Sequence, residues 1–208
     1  MRGEEAHALE LHRDRVRRTL LHAGAAPEGH PLLEELVPER LVARVRAELG
    51  EGYRAEQLYR LSYSYDRETL CELRCLAYVP RRLERLVLWE LPEGFYYSYK
   101  YADRSFFEAV QAELQQGELP LFVRPDGSLS DTSYTNIVLW TAAGYRTPER
   151  PLLEGTERRR LLEAGRISAA PLTLMDLSAC RGIYLINAMM PLETAPLLPP
   201  PELVIRRV

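Results

Sequence analysis

The chain has 208 residues, 46% of them hydrophobic, which is enough for one domain or two small lobes with a buried core. Its formal net charge of −3 offers no basic surface for nucleic acid or an acidic membrane. No apolar run approaches membrane-spanning length, and the acidic start does not read as a signal peptide, so a cytoplasmic location is expected.

In chain order, the apolar spacing of Val16, Leu20 and Ala23 predicts a helix over about residues 12–24, ended by Gly24. A second helix is expected over 38–49, carrying Leu41, Val45 and Leu49 on one face. Strand-like runs follow at 53–65 and 70–79, joined at Asp66-Arg67-Glu68, with a third at 86–91. Pro92-Glu93-Gly94 breaks the pattern, and the tyrosine-rich run 95–103 reads as a crossover between lobes. Beyond it come a helix over 105–116 with Ser105 as candidate cap, strands at 119–124, 137–142 and 183–187, and a helix over 156–164. The tail, after Pro199-Pro200-Pro201, is expected to end in a short strand over 202–208. Both halves mix helices and strands, so the fold class is α+β in two lobes: 1–94, a crossover 95–104, and 105–208.

Cys71 and Cys75 stand four apart in an expected strand, and none of the four histidines forms a ligand-spaced cluster with them or with Cys180. Structural thiols in a reducing compartment are the expectation, with no metal site. One count stands out. Of the 27 Lys and Arg residues 26 are arginines, and the single lysine is Lys100. Arginine is permanently charged and is no amine nucleophile, whereas lysine can lose its proton and form an imine.

Five segments in order carry a resemblance: Tyr99-Lys100-Tyr-Ala-Asp-Arg104, Ser130-Asp131-Thr-Ser-Tyr-Thr-Asn136, Thr147-Pro148, Leu153-Glu-Gly155-Thr156-Glu-Arg158, and Ile186-Asn187-Ala188-Met189-Met190-Pro191. Over about residues 9–196 the chain resembles the class IV aminotransferases, the fold type IV pyridoxal-phosphate enzymes, which include branched-chain and D-amino acid transaminases and 4-amino-4-deoxychorismate lyase. The resemblance implies pyridoxal 5'-phosphate as cofactor, Lys100 as its Schiff-base lysine and general acid/base, and a homodimer. Asp131 takes the place of the family's usual glutamate on the pyridine nitrogen, five residues before the motif residue Asn136. The Gly155-Thr156 turn would meet the phosphate at a helix start. His12-Arg13-Asp14-Arg15 matches a His-x-x-Arg whose arginine, here Arg15, reaches the phosphate. Asn187 and Ala188 stand where transaminases usually present threonine then alanine, and they look like the corresponding stretch of the lyases.

The function this implies is conversion of 4-amino-4-deoxychorismate to 4-aminobenzoate and pyruvate for folate synthesis, with Arg104 a candidate partner for substrate carboxylates. A transaminase for branched-chain or D-amino acids is the alternative. Residues 1–7 do not match the family's first strand, so either the true start lies upstream or the lobe lacks that strand, and with the second comes a third reading, a truncated cofactor-binding protein with little turnover.

Overall fold

A computed structural model describes Met1 and residues 5–207, and divides the chain into two compact units, Met1–Pro80 and Arg81–Val208. The expected lobe boundary at residue 94 moves to 80. The cause is the third strand, Arg85–Glu90, which hydrogen-bonds in parallel to a strand of the second unit and cannot belong to the first.

The first unit opens with α1 (Leu9–His22), which buries Val16 and Leu20. The short α2 (Pro31–Glu35) follows, then α3 (Pro38–Leu49), which buries Leu41 and Val45. Proline opens α2 and α3, where its missing N–H costs nothing. Strands β1 (Tyr59–Tyr65) and β2 (Leu70–Ala77) pair antiparallel, from Tyr59 opposite Ala77 to Tyr65 opposite Leu70. Their turn is closed by Asp66 Oδ1, which accepts from the Glu68 and Thr69 amides. The expected strand over 53–65 begins only at Tyr59, the residue from which side chains enter the core beside Val16, Leu20 and Val45. Of the residues 1–7 that do not match the expected first strand, 2–4 lie outside the described set.

No helix was expected at α2, because its cap is a histidine rather than Ser, Thr, Asp or Asn. His30 is 3% exposed; its Nδ1 accepts from the Leu32 amide at 3.2 Å. The other ring nitrogen must then carry the proton, and Nε2 donates to the Asp66 carbonyl at 3.2 Å. One ring thus joins α2 to the hairpin turn. His30→Ala is expected to lower stability by about 1–2 kcal/mol, since it strands the buried Leu32 amide and releases the Asp66 carbonyl of the turn. Urea unfolding checks this, and His30→Asn, which keeps a cap acceptor, should lose less.

In the second unit, β3 (Arg85–Glu90) runs into the Lys100 segment and then α4 (Ser105–Ala112). Ser105 is the first helical residue rather than the cap; Arg104 holds the cap position, and Asp103 Oδ1 accepts from the Ser105 amide. Strand β4 (Glu118–Val123) then pairs in parallel with β3, and β5 (Leu129–Thr132) pairs antiparallel with β4. A second sheet holds β6 (Asn136–Thr141), β7 (Gly144–Pro148), β8 (Ser168–Ala170), β9 (Gly182–Ile186) and β10 (Leu197–Leu198), in the order β10-β9-β6-β7-β8. Between them run α5 (Thr156–Glu163) and α6 (Leu174–Ala179). Strands β4, β6 and β9 read as continuous apolar runs because both faces are covered. Leu88, Leu121, Ile137, Leu139, Ile183 and Leu185 form the centre of this core.

The expected terminal strand over 202–208 is absent among the described residues. Arg206 instead makes a single bridge to Trp89, and β10 lies earlier, at Leu197–Leu198. Three successive prolines lack the amide donors that a continuous ladder needs. Among the described residues no helix is long and apolar enough to cross a membrane.

Candidate active site

Lys100 sits in a segment without regular structure between β3 and α4. Its φ is +54°, a left-handed backbone that a lysine adopts only when its surroundings hold it there. The Lys100 amide donates to the Tyr97 carbonyl at 3.1 Å, and the Tyr97 hydroxyl donates to the Tyr101 carbonyl at 2.8 Å. Tyr97 is buried against Phe107, with ring centroids 4.7 Å apart, while the Lys100 side chain is exposed. Arg104 directs one Nη to the Tyr97 hydroxyl at 3.1 Å and the other to the Ser133 carbonyl at 2.8 Å.

Asp131 and Asn136 flank a tight turn. The Thr132 amide donates to the Thr135 carbonyl at 3.0 Å, the Thr135 amide donates to the Thr132 hydroxyl at 2.9 Å, and the two hydroxyls are 2.7 Å apart, which closes the turn between Asp131 and Asn136. Their five-residue spacing brings both side chains onto one backbone unit, Leu153. Asp131 Oδ2 accepts from the Leu153 amide at 3.1 Å, and Asn136 Nδ2 donates to the Leu153 carbonyl at 2.8 Å. Asp131 is 2% exposed, and its second oxygen, Oδ1, is buried without a hydrogen-bond partner. Burial pushes its pKa up to about 6, against the opposing pull of Asn136, the Leu153 amide and the Arg158 guanidinium. The turn residue of this region is Asp126, which accepts from Ser128; Asp131 is a strand residue turned inward.

Two residues beyond Leu153, Gly155 caps α5, so the expected helix start holds. A side chain has no room there: a Cβ on Gly155 would lie 2.0 Å from Asn136 Oδ1. A helix's first amides face away from its own carbonyls and favour an anion. Thr156, the first residue of α5, is buried. Asn187 ends β9 in a turn; its Oδ1 accepts from the Met189 and Met190 amides, and its Nδ2 donates to the Tyr134 carbonyl at 3.3 Å. Ala188, half-buried at the tip, offers only backbone to a ligand. The structure therefore draws Asp131, Asn136, Gly155 and Asn187 together through shared contacts, and Arg104 links the Lys100 segment to them. Arg15 belongs to the first unit, half-buried, with one Nη 3.4 Å from both His12 Nδ1 and the Tyr63 hydroxyl.

Sequence reasoning missed two buried charges. Arg158 lies in a run of three arginines that reads as a solvated helix face, yet it is 5% exposed and donates to the Pro148 carbonyl at 2.8 Å. Its pKa is lowered by burial and pulled back by the Asp131 charge. Glu157 is fully buried, accepting from Arg160 at 2.8 Å and from the Leu192 amide at 3.3 Å, which ties α5 to the segment after Asn187. Helical period was the available signal: Glu157 and Arg158 stand four and three residues before the buried Leu161.

Residues 96–193 match the model of the amino-transferase class IV family. The chain is 29% identical over 133 residues to an uncharacterized protein of Haemophilus influenzae, covering 64% of this chain and 69% of that one. It is also similar to the crystal structure of a Haemophilus somnus protein to which 4-amino-4-deoxychorismate lyase activity has been ascribed. There the TM-score is 0.71 at 26% identity, over 90% of this chain and 92% of that one. A Mycobacterium tuberculosis hypothetical aminotransferase in a pyridoxal-phosphate-bound form shares the fold, with TM-score 0.70 and 21% identity over 100% of this chain and 80% of that one. The family match spans the stretch that holds Lys100, Asp131, Gly155 and Asn187, and the likeness of fold extends beyond it; residues 96–193 match the class IV aminotransferases, and the match and the solved relatives together indicate a pyridoxal-phosphate-dependent activity of the lyase or aminotransferase kind.

Proposed function

We propose that the protein is a lyase that converts 4-amino-4-deoxychorismate to 4-aminobenzoate and pyruvate. The carrying observation is the Asn187–Ala188 turn, held by the Asn187 carboxamide and presenting no hydroxyl where transaminases of the family present threonine. The likeness to the Haemophilus somnus protein supports the same reading.

The site has a place for the cofactor. Asp131 Oδ1, buried and without a partner, suits the protonated nitrogen of a pyridine ring, and a carboxyl raised to about 6 gains a reason to ionise when that cation arrives. Gly155 packs directly against Asn136 at the start of α5, where the free backbone amides of the helix would meet a phosphate. When bound, the cofactor supplies an electron-accepting ring that stabilises negative charge at the substrate's amine-bearing carbon.

The chain's own residues do the rest. Asp131 holds the ring nitrogen and its proton. Lys100 takes the proton from the amine-bearing carbon and delivers one to the enolpyruvyl methylene. The carbon–oxygen bond to the ring then breaks, pyruvate leaves, and aromatisation of the ring drives the reaction forward. Two copies of the chain forming a homodimer is part of the same reading.

The test is an assay without any amino acceptor. Purified protein should form 4-aminobenzoate and pyruvate from 4-amino-4-deoxychorismate with no added 2-oxo acid, and leucine or D-alanine should bleach its cofactor band only slowly. Borohydride should leave the cofactor on Lys100, which one peptide map can show because no other lysine exists. Rapid bleaching by a common amino acid, reversed by 2-oxoglutarate, would make the protein a transaminase.

A further inference from the structure

Two loops of the site differ in how they are held. The turn between Asp131 and Asn136 is closed by its own threonines and lies within the core of its unit. The Lys100 segment has no ladder, and it carries an exposed lysine in a strained left-handed conformation. Something outside the segment must hold it.

Tyr97 grips the segment at both ends. Its carbonyl accepts from the Lys100 amide at 3.1 Å and its hydroxyl donates to the Tyr101 carbonyl at 2.8 Å, so Lys100 lies inside a closed loop of five residues. Arg104 then fixes that loop from outside. One Nη donates to the same Tyr97 hydroxyl, and the other donates to the carbonyl of Ser133, two residues after Asp131. The guanidinium lies 4.9 Å from the centroid of the Phe107 ring, which keeps its plane in place. Two divergent donors on one rigid plane are a guanidinium's property; an ammonium cannot reproduce them.

We propose that Tyr97 and Arg104 are the positioning pair for Lys100: Tyr97 imposes the left-handed backbone at the lysine, and Arg104 sets its amine at a fixed reach from the Asp131 turn. Arg104, a candidate for substrate carboxylates on sequence grounds, directs both Nη groups to protein oxygens instead. The proposal rests on the reading of Lys100 and Asp131 as the two residues that face a shared cofactor ring.

The test uses the cofactor-free protein with Met1 as its first residue, so that Lys100, the one lysine of the sequence, is read against the terminal amine. Each variant is treated with pyridoxal, which lacks the phosphate, reduced with borohydride, and mapped for the ratio of label at Lys100 to label at Met1. The parent should label Lys100 preferentially. Tyr97→Phe and Arg104→Gln should lower the ratio at least about tenfold, because displacement of a reacting group by an ångström has effects of that size or more. Arg104→Lys should not restore it. A role confined to stability would lower the melting temperature and leave the ratio alone, and an unchanged ratio in folded variants overturns the proposal. If Arg104→Gln does not fold, Tyr97→Phe, which removes a single oxygen, decides the matter. The parent protein incubated with pyridoxal phosphate is the control: no cofactor on Lys100 there would overturn the cofactor reading itself, whereas cofactor on Lys100 with unchanged ratios overturns only the positioning pair.

Discussion

Asp131→Asn is expected to lose about 10²–10³-fold in turnover while making the cofactor-free protein more stable at neutral pH. Both effects follow from one buried carboxylate. In the folded chain its pKa is raised to about 6 from an ordinary 3.8, so the folded state binds a proton that the unfolded state has already released. Stability from this group is therefore fully present below pH 4 and is lost as pH rises through about 6. The difference corresponds to about 3 kcal/mol at pH 7. Asparagine carries no charge and can still accept from the Leu153 amide, so the variant should lack this decline. Urea unfolding of parent and variant between pH 4 and 7 checks it. Added cofactor should stabilise the parent more than the variant, since only a carboxylate pairs with the ring cation. Asp131→Glu should keep far more turnover than Asp131→Asn. Equal turnover of parent and Asn variant, or parallel pH profiles, would remove Asp131 from the site.

Gly155→Ala is expected to be the most damaging single-methyl change in the chain. The backbone at Gly155 has φ −66° and ψ 145°, which any residue adopts, so the obstacle is space alone. The added Cβ would fall 2.0 Å from Asn136 Oδ1. To make room, Asn136 must withdraw and release the Leu153 carbonyl, and Leu153 is the same unit that fixes Asp131. Overpacking and the lost buried bond together should cost about 3 kcal/mol. Cofactor affinity should fall at least about tenfold, because the turn proposed to meet the phosphate and the carboxylate proposed to face the pyridine nitrogen shift together. Gly52→Ala, where a Cβ meets nothing within 4 Å, is the matched control. Thermal unfolding and cofactor titration of both variants measure the effect. A fully stable, cofactor-binding Gly155→Ala protein would show that Asn136 does not link the two halves of the site.

What could be read from the sequence divides along physical lines. The apolar strands β4, β6 and β9 and the helices α3 and α5 were found to within a residue or two, because burial on both faces or one stripe writes itself as continuous or periodic hydrophobicity. The strands β5 and β7 were not found. Leu129–Thr132 and Gly144–Pro148 are largely polar, yet β5 is wholly buried, because its interior serves Asp131 and Thr132 rather than the core. The strand that carries Asp131 is therefore one that hydrophobic pattern hides. The candidate site residues Lys100, Asp131, Asn136 and Gly155 came from motif order, and Arg158 stands in the same motif, but its burial was not legible there. Its charge reads as solvated until the chain is folded around it. The lobe boundary failed for a related reason: a strand run shows that β3 exists, and nothing in it shows that its partner is β4, across the Lys100 segment and α4.

The ties among the loops of the second unit have a thermodynamic consequence. Leu153 is held from both sides by Asp131 and Asn136, the Asn187 turn is fastened to the Tyr134 carbonyl, and α5 is stapled to the segment beyond that turn through Glu157 and Leu192. Segments far apart in sequence are thus ordered by the protein's own hydrogen bonds. The entropy of fixing them is lost when the chain folds and is not charged again against ligand association. A small molecule entering such a place binds a preorganised surface, with little backbone rearrangement and an affinity governed by its direct contacts.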